Sequence, residues 1–291
     1  MPKSLSLPAQ RPIFGPLALP LFIFVSGLVI MTAFRLGFVL HFHKRLAETP
    51  DYLRLFPIGL RMDVILMSFI TIGPAFLCLL LPKNATVKLR AFFCAWAAIS
   101  LSLILYMEIA TFPFIEEYDL RPDRKFLEYL KHPKEVIGTL LGAYELELLI
   151  GTIAMVAAAV FFWRQASKII LQYGEFNWKL RLALLPIATP LLVLGARSTL
   201  GHRPANLSSA TFSNNHLANE LALNSTYTVA YAGYRLLSHE RSPRKMFGEM
   251  EDSEVIERIK NISTTAPSDY IAGQTPMLRH QKSPFELKRP M

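Results

Sequence analysis

Charge is scarce in this chain. Only 18% of its 291 residues are Asp, Glu, Lys or Arg, where soluble domains run near a quarter. That shortage argues against a plain soluble enzyme. The 52% hydrophobic content argues equally against a disordered chain, which is poor in apolar residues. Cysteine is nearly absent. Cys78 and Cys94 both sit inside apolar runs, so they read as small core fillers and rule against a disulfide scaffold. There is no phosphate loop, no dinucleotide glycine fingerprint and no nucleophile elbow around Ser208 and Ser209. Nor is there an internal repeat, or a dense basic tract interleaved with aromatics of the kind that binds nucleic acid.

What is present is long apolar stretches. Residues 12–34, 64–82, 91–107, 148–163 and 182–196 contain no charge. A helix needs roughly 20 apolar residues to cross a bilayer, with a range of about 17–25. The first three runs reach that range alone. The last two reach it if Glu147, Arg164, Arg181 and Arg197 lie at the interfaces and snorkel. The expectation is an all-α membrane protein with five transmembrane helices, at about 16–40, 60–81, 91–112, 146–163 and 181–197. Pro186 and Pro190 interrupt the fifth, which neighbouring helices can tolerate. The first run is longer than a signal-peptide core and is followed by Arg35 and His41 rather than small residues, so it reads as a retained span.

Two short loops set the expected orientation. Residues 82–90 carry Lys83, Lys88 and Arg90 without an acid, and 164–181 carry Arg164, Lys168, Lys179 and Arg181 against Glu175. The positive-inside rule places both in the cytoplasm. The N-terminus is then inside, and the 113–145 loop and the C-terminus are outside.

Residues 198–291 form a second region, with eleven Lys and Arg, nine acids and no further span. Residues 214–238 read as one helix, with Leu217, Leu221, Tyr227, Ala230, Tyr231 and Tyr234 at three- and four-residue spacings. Residues 252–262 read as a shorter one, capped by Asp252 or Ser253 and striped by Val255, Ile256 and Ile259. From Ser263 onward the composition is that of an extended connector. The tail is too poor in apolar residues for a core of its own. Its stripes must pack on the membrane domain or on a further domain.

Three passages resemble the N-terminal half of the lipoteichoic-acid-synthase-like phosphoglycerol transferases, of the sulfatase and alkaline-phosphatase superfamily. They are FPIGLRMDVILMSF at the start of the second span, FPFIEEYDLRPDRKFLEYLKHPKEVIGTLLGAY in the loop after the third, and LGHRPANLSSATFSNNHLANELALNSTY after the fifth. The resemblance covers nearly the whole chain, most firmly residues 56–235. It implies a bacterial cytoplasmic-membrane protein whose linker leads to an extracytoplasmic α/β catalytic domain. That domain would use a threonine nucleophile and a divalent metal, manganese or magnesium. It would transfer phosphoglycerol from phosphatidylglycerol to an acceptor outside the membrane. The chain stops about where that domain's first strand would begin, so no catalytic residue of the family falls on any position and no cofactor is expected in this chain. Partners expected are the phospholipid bilayer, phosphatidylglycerol among its lipids, and the chain's own catalytic domain. The anchor of a phosphoethanolamine transferase or sulfatase-type hydrolase, and a non-enzymatic membrane scaffold, are the alternatives.

Within the chain, four residues at one end of the spans are candidates for a lipid-headgroup site. Arg61 is suited to hold a phosphate bidentately, with Asp63 orienting it. Arg35 and Glu108 would join them in a small polar cluster. The bland alternative is a set of interfacial anchors. Residues 121–135, with Phe126, Leu127 and Leu130 on one side, fit either an interfacial helix or a solvated one. His41, His43, His132, His202 and His216 are scattered and do not suggest a metal site. His202-Arg203 and Asn214-Asn215 read as turn and capping residues.

Overall fold

The computed structural model describes residues 15–172, 177–239, 250–263, 266–271, 275 and 277–280. It is all-α, with five helices long and apolar enough to span a membrane. These are α1 (Ala18–His41, entered through a short 3-10 turn), α3 (Leu55–Leu80), α5 (Arg90–Tyr118), α8 (Glu145–Leu171) and α9 (Trp178–Arg197). Short helices α2 (His43–Leu46), α4 (Lys83–Lys88), α6 (Arg124–Tyr129) and α7 (Pro133–Ala143) lie in the connections. The protein is therefore a multi-pass membrane protein, with its spans where the charge-free runs place them. Pro186 and Pro190 do not split α9, and Pro74 and Pro113 sit within α3 and α5.

The last four expected spans are shorter than the helices that hold them. α5 has 29 residues, about 43 Å at ~1.5 Å per residue, against a hydrocarbon core of about 30 Å. The excess carries Glu116 and Glu117, which a charge-free window excludes.

α1 packs between α3 and α5, α8 lies along α5, and α9 lies along α3. The close α3–α9 approach needs Gly195, where a Cβ would lie 2.3 Å from the Ser68 hydroxyl. α8 and α9 bury few side chains and present apolar ones such as Leu149, Ile153, Val156, Ile187 and Leu191 outward, as lipid-facing helices do.

Two apolar clusters fill the interior. One joins Leu19, Ile23 and Met31 to Met67, Phe93 and Leu101. The other joins Phe38, Leu46, Leu55 and Met62 to Leu217, Leu221 and Leu223 from beyond the fifth span. The tail's stripe thus finds its core on the membrane helices. The chain divides into compact units Met1–Tyr234 and Arg235–Met291, so residues 198–234 belong to the same compact unit as the spans. The expected 214–238 helix is interrupted, as α10 (His216–Leu221) and α11 (Ser225–His239) with a turn between. In the second unit α12 (Asp252–Ile262) has the expected bounds, but its cap residue is Glu251, without a side-chain cap. Much of the expected connector after Ser263 lies outside the described residues.

Candidate functional site

One end of the bundle carries the C-termini of α1, α5 and α9 and the N-termini of α3 and α8. Over it folds the segment after α9. That segment is built by its asparagines. Asn206 and the Ser209 hydroxyl cap a short turn reciprocally. Asn215 caps α10 through Ala218 N–H and donates to Arg45 O and Thr49 Oγ1, at 3.1 and 2.7 Å. Asn219 Oδ1 accepts from Phe212 and Ser213 N–H. Asn224 caps α11, accepting from Tyr227 N–H at 2.9 Å. Each side-chain oxygen satisfies an N–H that a helix start or turn would leave open.

Below this segment lie two buried ion pairs. Arg35 donates to both Asp63 oxygens at 2.6 and 2.9 Å, and to the Leu221 and Leu223 carbonyls at 3.1 and 3.4 Å. Its guanidinium occupies the space over Gly59, where a Cβ would lie 2.2 Å from Nε. Asn224 Nδ2 donates to Asp63 Oδ1 at 3.0 Å. The second pair forms because Asp119, in the left-handed region at φ 55°, ends α5 and turns the chain back. Arg121 then reaches Glu108, donating to both oxygens at 3.0 and 2.8 Å. Arg121 also donates to Ser225 Oγ at 3.0 Å and, through Nε, to Glu220 O at 2.9 Å. Glu108 Oε1 accepts from Ser225 N–H at 3.1 Å, at the start of α11, where a negative charge is favoured. All four charged side chains are at most 1% exposed.

Neighbouring residues Asn224 and Ser225 therefore tie one ion pair each to the linker. Such pairs satisfy charges that burial would otherwise make very costly. They engage both oxygens of Asp63 and of Glu108. Among the described residues no three His, Cys, Asp or Glu side chains gather as metal ligands. Outside the spans, burial pushes the Glu220 carboxyl above its ordinary range, opposed by the hydrogen bond from Arg121 N–H.

Of the four expected headgroup residues, the structure brings Arg35 and Asp63 together and sets Glu108 beside them. Arg61 is elsewhere. It is not the partner of Asp63 but donates to Ser198 Oγ and Ser198 O at 2.9 and 2.7 Å, closing the C-terminus of α9. Arg121, Asn224 and Ser225 escaped the sequence reading as site residues. The Asn-Ser ahead of an apolar helix was a capping signal that could have pointed to two of them. Residues 121–135 form α6 and the start of α7, with Leu130 exposed. His41 and His43 part ways, toward Glu116 Oε1 and Leu40 O. No family model matches the chain, and no solved structure matches it.

Proposed function

We propose that the chain is the membrane anchor and docked linker of a lipoteichoic-acid-synthase-like phosphoglycerol transferase. One observation carries the reading: the segment after the last span is bound to the bundle through Asn224 and Ser225 over two buried ion pairs. Docking of the segment as far as Tyr234 takes those residues out of any free tether, and so limits how far an attached domain could range. That suits an enzyme whose donor is a lipid headgroup, because it raises effective concentration and limits orientation.

In this reading the linker end faces out of a bacterial cell. The opposite end, with Lys83, Lys88, Arg90, Lys168 and Lys179, faces the cytoplasm. Phosphoglycerol passes from phosphatidylglycerol to an envelope glycan or lipid, on a catalytic domain that carries its own manganese or magnesium. A second reading, a non-enzymatic scaffold, is favoured by the internal pairing of Arg35 with Asp63 and of Arg121 with Glu108.

The test is transfer of labelled glycerol phosphate from phosphatidylglycerol in cells lacking and regaining the gene. Incorporation should fall on deletion and return on restoration. Unchanged incorporation would favour the scaffold.

A further inference from the structure

The loop between α5 and α8 ends in α7, whose sequence PKEVIGTLLGA is two-sided. At about 100° per residue, Val136, Ile137 and Leu141 share one side, and Glu135, Thr139 and Gly142 share the other. Lys134 stands at the edge between them. The protein leaves the apolar side largely uncovered, with Ile137 55% and Leu141 52% exposed. The polar side is open as well, since a Cβ at Gly138 or Gly142 would meet no atom within 4 Å.

The position of α7 says what covers its apolar side. Tyr144, the single residue between α7 and α8, donates to Glu117 Oε2 at 2.8 Å. The end of α7 is thereby tied to the last turn of α5. With 29 residues, α5 is about 43 Å long at ~1.5 Å per residue. That matches a bilayer with its headgroup layers, about 40–45 Å, so the last turn of α5 lies at headgroup level.

Two further features mark the same level. Tyr129 Oη donates to Tyr118 Oη at 3.2 Å, and with Tyr144 these residues form a small group of tyrosines, a residue enriched at membrane–water interfaces. Beyond Tyr144, the exposed Leu146, Leu149 and Ile150 begin the lipid-facing surface of α8. α7 packs on α8, so its apolar side adjoins that surface. A protein partner would have to reach these side chains where lipid already stands.

We propose that α7 is an interfacial helix in the leaflet at the linker end, with Ile137 and Leu141 at the headgroup–acyl boundary and Glu135 and Thr139 toward water. Lys134, at the edge, sits level with the lipid phosphates. The loop that carries Arg121 is then held at both ends, by the left-handed Asp119 that closes α5 and by the bilayer under α7. This membrane contact is independent of the transferase reading.

The test is spin-label relaxation on the full chain, one copy per phospholipid nanodisc. Labels are placed through Ile137→Cys, Leu141→Cys, Glu135→Cys and Thr139→Cys, all at exposed positions where a label leaves the core intact. Cys78 and Cys94 are buried, and the unsubstituted chain is the blank. Oxygen concentrates among acyl chains, and a polar nickel chelate stays in water. Labels at 137 and 141 should be relaxed more by oxygen than by the chelate, and labels at 135 and 139 the reverse. Chelate-dominated relaxation at all four would show a solvated helix and overturn the proposal. Weak relaxation by both agents at 137 and 141 would show a protein cover and overturn it too. Oxygen dominance at all four would sink the whole helix among acyl chains and equally contradict an interfacial one.

Discussion

Asp63 and Asn224 are 161 residues apart in sequence, and a buried hydrogen bond of 3.0 Å joins them. Asn224 gives its amide to a membrane helix and its carbonyl oxygen to the start of α11. One side chain thus fixes both where the linker docks and where its helix begins. Asp63→Ala would leave Arg35 buried without its carboxylate. The expected loss is about 3–5 kcal/mol, read by reversible unfolding in mixed micelles. The double variant Arg35→Met with Asp63→Leu should recover much of it, because two apolar groups need no partner. A double variant no better than the single would mean that the pair is held for more than its charges.

Glu108→Gln keeps the shape of the second site and removes its charge. Arg121 is then buried against a neutral group, and the Ser225 N–H bond weakens. Limited proteolysis between residues 198 and 224 should speed up about tenfold, as a loss of ~1.4 kcal/mol in docking would give. A cleavage rate equal to wild type would show that the apolar contacts of Leu217 and Leu221 suffice to dock the segment.

Glu220 makes docking depend on pH. Burial raises its carboxyl above the usual 4.5, so the docked state binds more protons than the undocked one in the window from 4.5 upward. Docking therefore strengthens as pH falls toward 4.5 and weakens as pH rises through the raised value. Glu220→Gln should flatten that dependence, measured as protease protection of the segment against pH. A wild-type profile that rises with pH in this window would contradict the assignment.

Arg61 closes α9 rather than orienting with Asp63. Arg61→Ala should increase exchange of the amides around Ser198, with a cost of about 1 kcal/mol for the exposed pair of bonds. Binding to anionic vesicles should not change. Loss of vesicle binding would restore Arg61 as a headgroup residue.

The five spans were legible because an apolar run without charge has few other uses. Their ends were not, since α3 begins before the expected span, at Leu55, and α5 runs on past it through Glu116 and Glu117. The candidate site was half legible. Arg35, Asp63 and Glu108 stood out as charges near span ends, but periodicity along one helix does not say which neighbour a side chain meets. Arg121 lay in a loop among four other basic residues of 121–135, and nothing local marked it for burial. Its place depends on the left-handed Asp119 and on a linker that arrives a hundred residues later.

The most direct test of the anchor reading is the size of the native polypeptide, detected in membranes of the source cell with an antibody against residues 252–262. The account predicts a band much larger than 32.9 kDa, since the proposed function requires a catalytic domain joined to the docked linker. A band at 32.9 kDa would contradict it and leave a membrane protein whose linker docks with nothing to carry.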